Sequence, residues 1–474
     1  MSSSELALYN TEKRKKELFK PLEAGCVKMY TCGPTVYDVA HIGNFRTYLF
    51  EDILRRALKF FGMAVTHVMN ITDVDDKTIR AAVAKGVSLQ EYTEPYIRSF
   101  FEDLDALNIE RAEHYPKATD YISQMIEMIE TLMDKGLAYK SDDGSVYFAI
   151  RRFPRYGCLS HLDMDELLEG GSMRVHSDEY DKENASDFVL WKTYDAERDG
   201  GVYWESPFGP GRPGWHLECS AMATSLLGDT FDIHCGGVDN IFPHHENEIA
   251  QSEGCTGKRF VNYWMHSEHL VVNNKKMSKS LGNFFTLRDL LSKGYDGLVV
   301  RYALFQSHYK SQLNFTIDGL DAARASLERL QDFIHRLQTV RNDVTTEHLF
   351  PLIAKAKKEF SQGLADDLNT PEALAALFDF VKEVNILCDE GKVSTTEAKA
   401  ALGMLQEINS VLGFLAFKED ENEGVPQDVI DAVAAREQAR KTKNWAEADE
   451  LRNFVLKKGY LIEDSPKGAR IKKL

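Results

Sequence analysis

Residues 242–254, FPHHENEIAQSEG, crowd two histidines and two glutamates, His244, His245, Glu246 and Glu248, into five positions. Imidazole and carboxylate together hold a transition metal or move protons. On a helix, His244 and Glu248 are four residues apart and His245 and Glu248 three, so either pair can share a face. Two cysteines offer softer donors: Cys32 closes the apolar run CVKMYTCG, and Cys219 lies in RPGWHLECSAMA. Cys, Cys, His and Glu make a workable Zn2+ set. A free cysteine is more often a small buried hydrophobe, and ligands this far apart in sequence obey no local spacing rule.

Two further stretches carry chemistry. In CGPTVYDVAHIGNFR (32–46) a strand ends, a loop follows and a helix starts near Ile42 and Gly43. Gly43 lets another group approach the backbone, the helix start offers N–H groups to an anion, and His41 stands beside them; an incidental histidine on a polar loop fits the same residues. KKMSKS (275–280) sets Lys275, Lys276 and Lys279 among serines. Such ammonium groups can follow a triphosphate and neutralise charge on departing pyrophosphate, although composition alone reads as a surface loop. No G-x-x-x-x-G-K precedes it, so it is not a Walker motif.

The elements that must position these residues alternate. CVKMYTCG (26–33) reads as a strand, NFRTYLFEDILRRALKFFG (44–62) as a helix stopping at Gly62, and MAVTHVMNITD (63–73) as the next strand. This βαβ order predicts an α/β fold with a doubly wound, parallel, Rossmann-like catalytic domain, its first half in residues 1–140. Residues 141–212, with SVYFAI and GVYWES as short strands, read as an insertion. The second half resumes over 213–262, with DTFDIHCGG (229–237) as a strand and FPHHENEIAQSEG as its helix. In 263–320 a strand spanning 262–274 leads to KKMSKSLGNF in a loop. Residues 321–417 show the helical period and predict a bundle. KEDENEG (418–424) is a polar linker, and 425–474 form a small C-terminal α/β unit with a basic helix from about 427 to 458.

Length and composition set the outer bounds. A chain of 474 residues exceeds one ordinary core, and 43% hydrophobic with 28% charged residues is a globular composition. No apolar run is long enough to span a membrane, and MSSSELALYN has no secretory character, so a cytoplasmic protein is expected. Seven cysteines without disulfide rhythm fit a reducing compartment. The net charge of −17 argues against a nonspecific nucleic-acid coat, yet the last forty or so residues are locally basic.

HIGN after the first strand, with KMSKS far downstream in a βαβ chain, resembles the class I aminoacyl-tRNA synthetases. Asn44 stands where that signature has a second histidine; an amide still donates to phosphate or ribose. TCGPTVYD, NITDVDDK, PGWHLECSAM, FPHHENE and KMSKS, in that order over nearly the whole chain, resemble the cysteinyl-tRNA synthetases. The resemblance implies one zinc held by Cys32, Cys219, His244 and Glu248, and it alone chooses His244 over His245. It implies ATP contacts from His41, Gly43, Asn44, Gly236, Gly237, Asp239, Lys276 and Lys279, of which His41, Asn44, Lys276 and Lys279 form the catalytic set. Thr72 and Trp215 would border the amino acid. Trp445 would stack on an anticodon base, and Asp449, one turn later, would accept from a base edge.

The implied enzyme activates L-cysteine with ATP and Mg2+, releases pyrophosphate, and passes cysteine to the terminal ribose of tRNA(Cys), working as a monomer. Pocket shape separates near-isosteres by only about 1–3 kcal/mol. A metal that takes the substrate's sulfur favours a thiolate, which serine cannot mimic and alanine lacks, so no editing domain is expected. Two other readings are a cysteine ligase with a small amine acceptor and a zinc-stabilised RNA-binding module. The C-terminal KNWAEADELR argues against the first and the intact KMSKS against the second.

Overall fold

The computed structural model describes residues 5–162, 174–175, 187–278, 281–343, 346–417, 425–465 and 468–473. Apolar and β-branched runs supply four parallel strands, β1 (Cys26–Thr31), β2 (Ala64–Met69), β3 (Phe231–Gly237) and β4 (Val261–Ser267), in the spatial order β4-β3-β1-β2. β1 and β3 pair with Cys235 opposite Thr31, although the whole insertion separates them in sequence. The strand order reverses between them, so the crevice beyond their carboxyl ends is where such a sheet binds ligands.

Helix α1 (Ile42–Phe60) joins β1 to β2, as expected. It opens with a capping box: the Asn44 N–H donates to His41 Nδ1 at 3.2 Å, and the His41 N–H donates to Asn44 Oδ1 at 3.0 Å. α1 is buried nearly all round, because the sheet covers one side and the C-terminal helices the other. Its charged residues are compensated. Asp52 meets Arg301 at 2.7 Å and Arg56 at 2.8 Å, and Arg301 also donates to the carbonyls of Leu412, Leu107 and Asn108.

The insertion builds its own sheet from Ala138–Lys140, Val146–Phe148, Asp187–Thr193, Gly211–Pro213 and the short Arg174–Val175. Only part of the expectation holds there. SVYFAI contains a strand, but GVYWES makes a single bridge between Trp204 and Gly211, and the longest strand, Asp187–Thr193, carries no strong periodic signal. Helix α2 (Trp215–Leu227) leads into β3, and helix α3 (Glu246–Thr256) connects β3 to β4.

Two boundaries differ from the sequence reading. The predicted helix over 242–254 begins only at Glu246; His244 and His245 lie in a wide turn, Ile241–His245, where Phe242 is extended and Pro243 has no N–H to continue a ladder. The predicted strand over 262–274 is two strands, β4 and Leu270–Val272. Val271 and Val272 pair with Lys276 and Lys275, so the KKMSKS segment starts as a strand rather than wholly in a loop.

Beyond 316 four helices form the bundle: Ile317–Gln338, Leu349–Ala365, Thr370–Asp389 and Thr395–Leu412. Their apolar faces share one continuous core with Ile42, Phe45, Leu49 and Ile53 of α1. In the C-terminal unit, two helices, Gln427–Lys441 and Trp445–Lys457, replace the single expected one. Lys443 takes φ 60° and Asn444 caps the second helix, which breaks the run. A hairpin, Tyr460–Ser465 with Gly468–Lys473, completes the unit. Among the described residues no helix is long and apolar enough to cross a membrane.

Candidate active site and metal centre

Cys32 follows the last residue of β1, and its N–H donates to Cys235 O on β3 at 3.3 Å, which fixes it at the switch point. The turn before α3 brings His244 and His245 to the same place. Ligand atoms of Cys32, His244, His245 and Glu248 all lie within 4.8 Å of one another. Cys219, on the first turns of α2, is buried nearby and its titration is shifted by Cys32 and His244, but it is not one of the four residues of that set. Three of the predicted metal ligands, Cys32, His244 and Glu248, therefore share one cluster, with His245 as its fourth member and Cys219 beside it.

The surroundings orient each group. His244 Nδ1 lies 2.8 Å from His216 Nδ1, which leaves Nε2 facing Glu248 Oε1 at 3.1 Å. Glu248 Oε2 meets His234 Nε2 at 2.9 Å, while Oε1 is buried without a hydrogen-bond partner. His245 Nε2 approaches Cys32 Sγ at 3.2 Å, and its Nδ1 meets His266 Nε2 at 2.8 Å, which is held in turn by Thr11. Trp215 stacks on His244 with ring centroids 4.3 Å apart, and Trp264 stacks on His234 at 4.6 Å.

The electrostatics are those of donors competing for protons. The hydrogen bond with Cys219, then burial, pushes the Cys32 thiol up. Its interaction with Cys32, with His244 beside it, pushes Cys219 well down against the cost of burial. Burial drives the Glu248 carboxyl up, and Cys219 adds to it. For His244 burial works downward, but Glu248 and Cys219 prevail and raise it. Burial, with His234 and His266 next, holds His245 well down. Two sulfurs, imidazoles and a carboxylate oxygen lacking a hydrogen bond form a donor set that fits a borderline-soft divalent metal, whose binding displaces protons.

The other predicted residues surround this cluster. A Cβ on Gly43 would come within 3.3 Å of Met277 Cε, so the KMSKS segment rests against the start of α1. Ile42 N–H donates to Phe285 O at 3.0 Å, and Asn283 ties that segment by accepting from Ser278 N–H and donating to Lys276 O. Lys276 is exposed; Lys279 lies outside the described residues. A Cβ on Gly236 would meet the His245 ring at 2.8 Å, so that position favours glycine; one on Gly237 would meet the tip of the exposed Asp239 side chain, which can move aside. Asp239 is exposed at that turn.

Thr72 is buried and accepts from Asn70 Nδ2 at 3.0 Å; Asn70 Oδ1 also accepts from Gly33 N–H, beside Cys32. Trp445 is 60% exposed at the start of its helix, and Asp449 is exposed one turn later. Trp445 stands outside the small domain's core of Val429, Ala432, Val433, Val455, Tyr460 and Ile462. Sequence reasoning missed His216, His234, His266 and Asn70. The one available signal was a histidine within DTFDIHCGG, an otherwise buried strand.

Comparison with known proteins matches residues 18–325 to the tRNA synthetases class I (C) catalytic domain, 359–416 to the DALR domain and 422–471 to the cysteinyl-tRNA ligase anticodon binding domain. The cysteine–tRNA ligase of Protochlamydia amoebophila is 60% identical, covering 99% of this chain and 98% of its own. That of Chlamydia pneumoniae is 58% identical over the same shares.

The chain belongs to the cysteine–tRNA ligase family.

Its fold extends to more distant class I enzymes. Mycobacterium tuberculosis methionyl-tRNA synthetase in complex with methionyl-adenylate superposes with a TM-score of 0.61 at 14% identity, covering 85% of this chain and 93% of its own. A leucyl enzyme from Agrobacterium radiobacter K84 gives 0.60 at 12%, covering 84% and 85%. The class I catalytic fold, followed by a helical region and a small C-terminal unit, matches the expected architecture of this family member.

Proposed function

We propose that this chain attaches L-cysteine to tRNA(Cys) in two steps, selecting cysteine with one zinc ion held by Cys32, Cys219, His244 and Glu248. The observation that supports the reading is the cluster of Cys32, His244 and Glu248 at the switch point of a class I sheet, with the buried Cys219 beside it. Both histidines offer Nε2 to the cluster with Nδ1 held from behind, His244 by His216 and His245 by His266, so the preference for His244 rests on the family resemblance. Zinc, when bound, supplies a Lewis acid that favours the substrate's thiolate.

The chain's own residues do the rest. Cys32 and Cys219 would hold the metal as thiolates, and His216 and His234 hold His244 and Glu248 in orientation. Trp215 and Thr72 border the cysteine and exclude water from it. The Gly43 N–H at the start of α1, with the side chains of His41 and Asn44, receives ATP phosphates; residues 236–237 admit the adenosine and Asp239 its ribose hydroxyls. Lys276 and Lys279 neutralise the leaving pyrophosphate as the cysteine carboxylate attacks the α-phosphorus in line, with Mg2+ on the phosphates.

No side chain serves as nucleophile; the terminal ribose hydroxyl of tRNA then attacks the adenylate's carbonyl carbon and expels AMP. The bundle and basic C-terminal unit hold tRNA, with Trp445 and Asp449 at the anticodon. The enzyme works as a cytoplasmic monomer. Cysteine-dependent exchange of pyrophosphate into ATP, followed by charging of tRNA transcript with and without residues 425–474, tests both steps. Exchange without charging of tRNA by the full chain would favour a ligase with another acceptor.

A further inference from the structure

Lys192 and Arg212 stand directly opposite one another on paired strands of the insertion, and both are buried. Like charges facing across a ladder repel, and burial raises the cost. Asp76 is the carboxylate they share: it accepts Lys192 Nζ on both oxygens at 2.9 Å and Arg212 on Oδ1. Asp199 adds a longer contact to Arg212 Nε at 3.8 Å. A buried ionic cluster of this kind is poor economy for stability alone; hydrophobic side chains would hold that seam at less cost.

The partners differ in what they adjoin. Asp76 is four residues beyond Thr72, whose N–H donates to Pro34 O and whose carbonyl accepts from Val36 N–H, next to the loop that carries Cys32. Arg212 is three residues before Trp215, whose ring lies on His244. The chain between them is stiff: Gly214 N–H donates to Leu190 O at 2.9 Å, and a Cβ at Gly214 would strike Val189 O. We propose that Asp76, clasped by Arg212 and Lys192, is a positioning residue that sets the separation of the Thr72 and Trp215 sides of the amino-acid pocket and so fixes affinity for cysteine. None of the three side chains is among the proposed ATP contacts or metal ligands. This inference rests on the reading that Thr72 and Trp215 border the cysteine.

The test measures pyrophosphate exchange with the zinc-loaded, full-length protein at varied cysteine and varied ATP. Asp76→Asn is expected to raise KM for cysteine about tenfold, leaving kcat, KM for ATP within about twofold and zinc content unchanged. Asp76→Glu, which keeps the charge, is expected to recover part of the loss. Arg212→Lys, which keeps the charge and loses the fork, is expected to raise KM for cysteine as well, and the Asp76→Asn/Arg212→Lys double variant no further than Asp76→Asn alone. The charge-balanced Asp76→Asn/Lys192→Met variant serves if Asp76→Asn fails to fold. An unchanged KM for cysteine in the folded variants, or equal rises for cysteine and ATP, overturns the inference. Absence of cysteine-dependent exchange in the unaltered protein would instead overturn the proposed function.

Discussion

Glu248 Oε1 lies 3.1 Å from His244 Nε2, fully buried, and no hydrogen bond joins them. A buried carboxylate oxygen facing an imidazole nitrogen without a shared proton is costly, unless both are donors to a third centre. His244→Ala is therefore expected to lose zinc and cysteine activation together. His245→Ala, at the rival position, is expected to keep the metal. Zinc content by atomic absorption beside pyrophosphate exchange checks the pair, and the reverse pattern would reassign the ligand.

Asn44 closes the capping box at the start of α1 through its side-chain oxygen. Asn44→Asp keeps an acceptor for the His41 N–H and adds charge that a helix start tolerates. The same charge repels phosphate. Thermal melting is expected to stay within about 2–4 °C of the unaltered protein, since caps are worth about 1 kcal/mol. KM for ATP is expected to rise about tenfold or more. A normal KM for ATP would remove Asn44 from the phosphate site.

The Asp52–Arg301 pair joins α1 to the helix Gly297–Phe305, and Arg301 reaches on to the Leu412 carbonyl at the end of the last bundle helix. Burial opposes ionisation of Asp52, but Arg301 and Arg56 hold its carboxyl below the ordinary range. Arg301→Met leaves Asp52 with Arg56 and the Glu110 N–H, and is expected to cost at most about 3–5 kcal/mol in denaturant unfolding. Asp52→Leu/Arg301→Met is expected to recover much of it. A single variant as stable as the parent would show the pair to be dispensable.

His67 supplies a pH signature. It is fully buried against Thr31, and burial, with Arg55 adding to it, holds its pKa at about 3 instead of 6.5. The unfolded chain binds a proton near 6.5 that the folded chain refuses. The stabilisation is thus complete above that pH and is lost as pH falls from 6.5 toward 3, at up to about 1.4 kcal/mol per unit. His67→Gln is expected to flatten the acid limb of a stability–pH curve over that window. An unaltered slope would contradict the burial argument.

Trp445 is 60% exposed, so Trp445→Ala is expected to leave stability within about 0.5 kcal/mol. Loss of a stacked base is worth about 1–3 kcal/mol. Charging assays are expected to show KM for tRNA raised about tenfold or more, with pyrophosphate exchange unchanged. A normal KM for tRNA would place the anticodon contact elsewhere.

Much of this was legible in sequence where a local rule operates. CVKMYTCG and the α1 segment announce their βαβ unit because their apolar residues keep strict period, and the four-residue spacing of His244 and Glu248 survives even though His244 precedes the helix proper. What was not legible depends on tertiary partners. Strand Asp187–Thr193 buries Lys192 because Asp76 reaches it from more than a hundred residues away. His216, His234 and His266 come from α2, β3 and β4, and only the folded sheet brings them behind the ligands. The break at Lys443 is a backbone choice that helix-favouring neighbours conceal.

The most direct test measures pyrophosphate exchange with cysteine, serine and alanine side by side, before and after removal of zinc by a chelator and its restoration. Rapid exchange with cysteine alone, lost with the metal and regained on its return, is the expected result. Full activity in metal-free protein, or serine activated as readily as cysteine, would contradict selection by a metal-held sulfur.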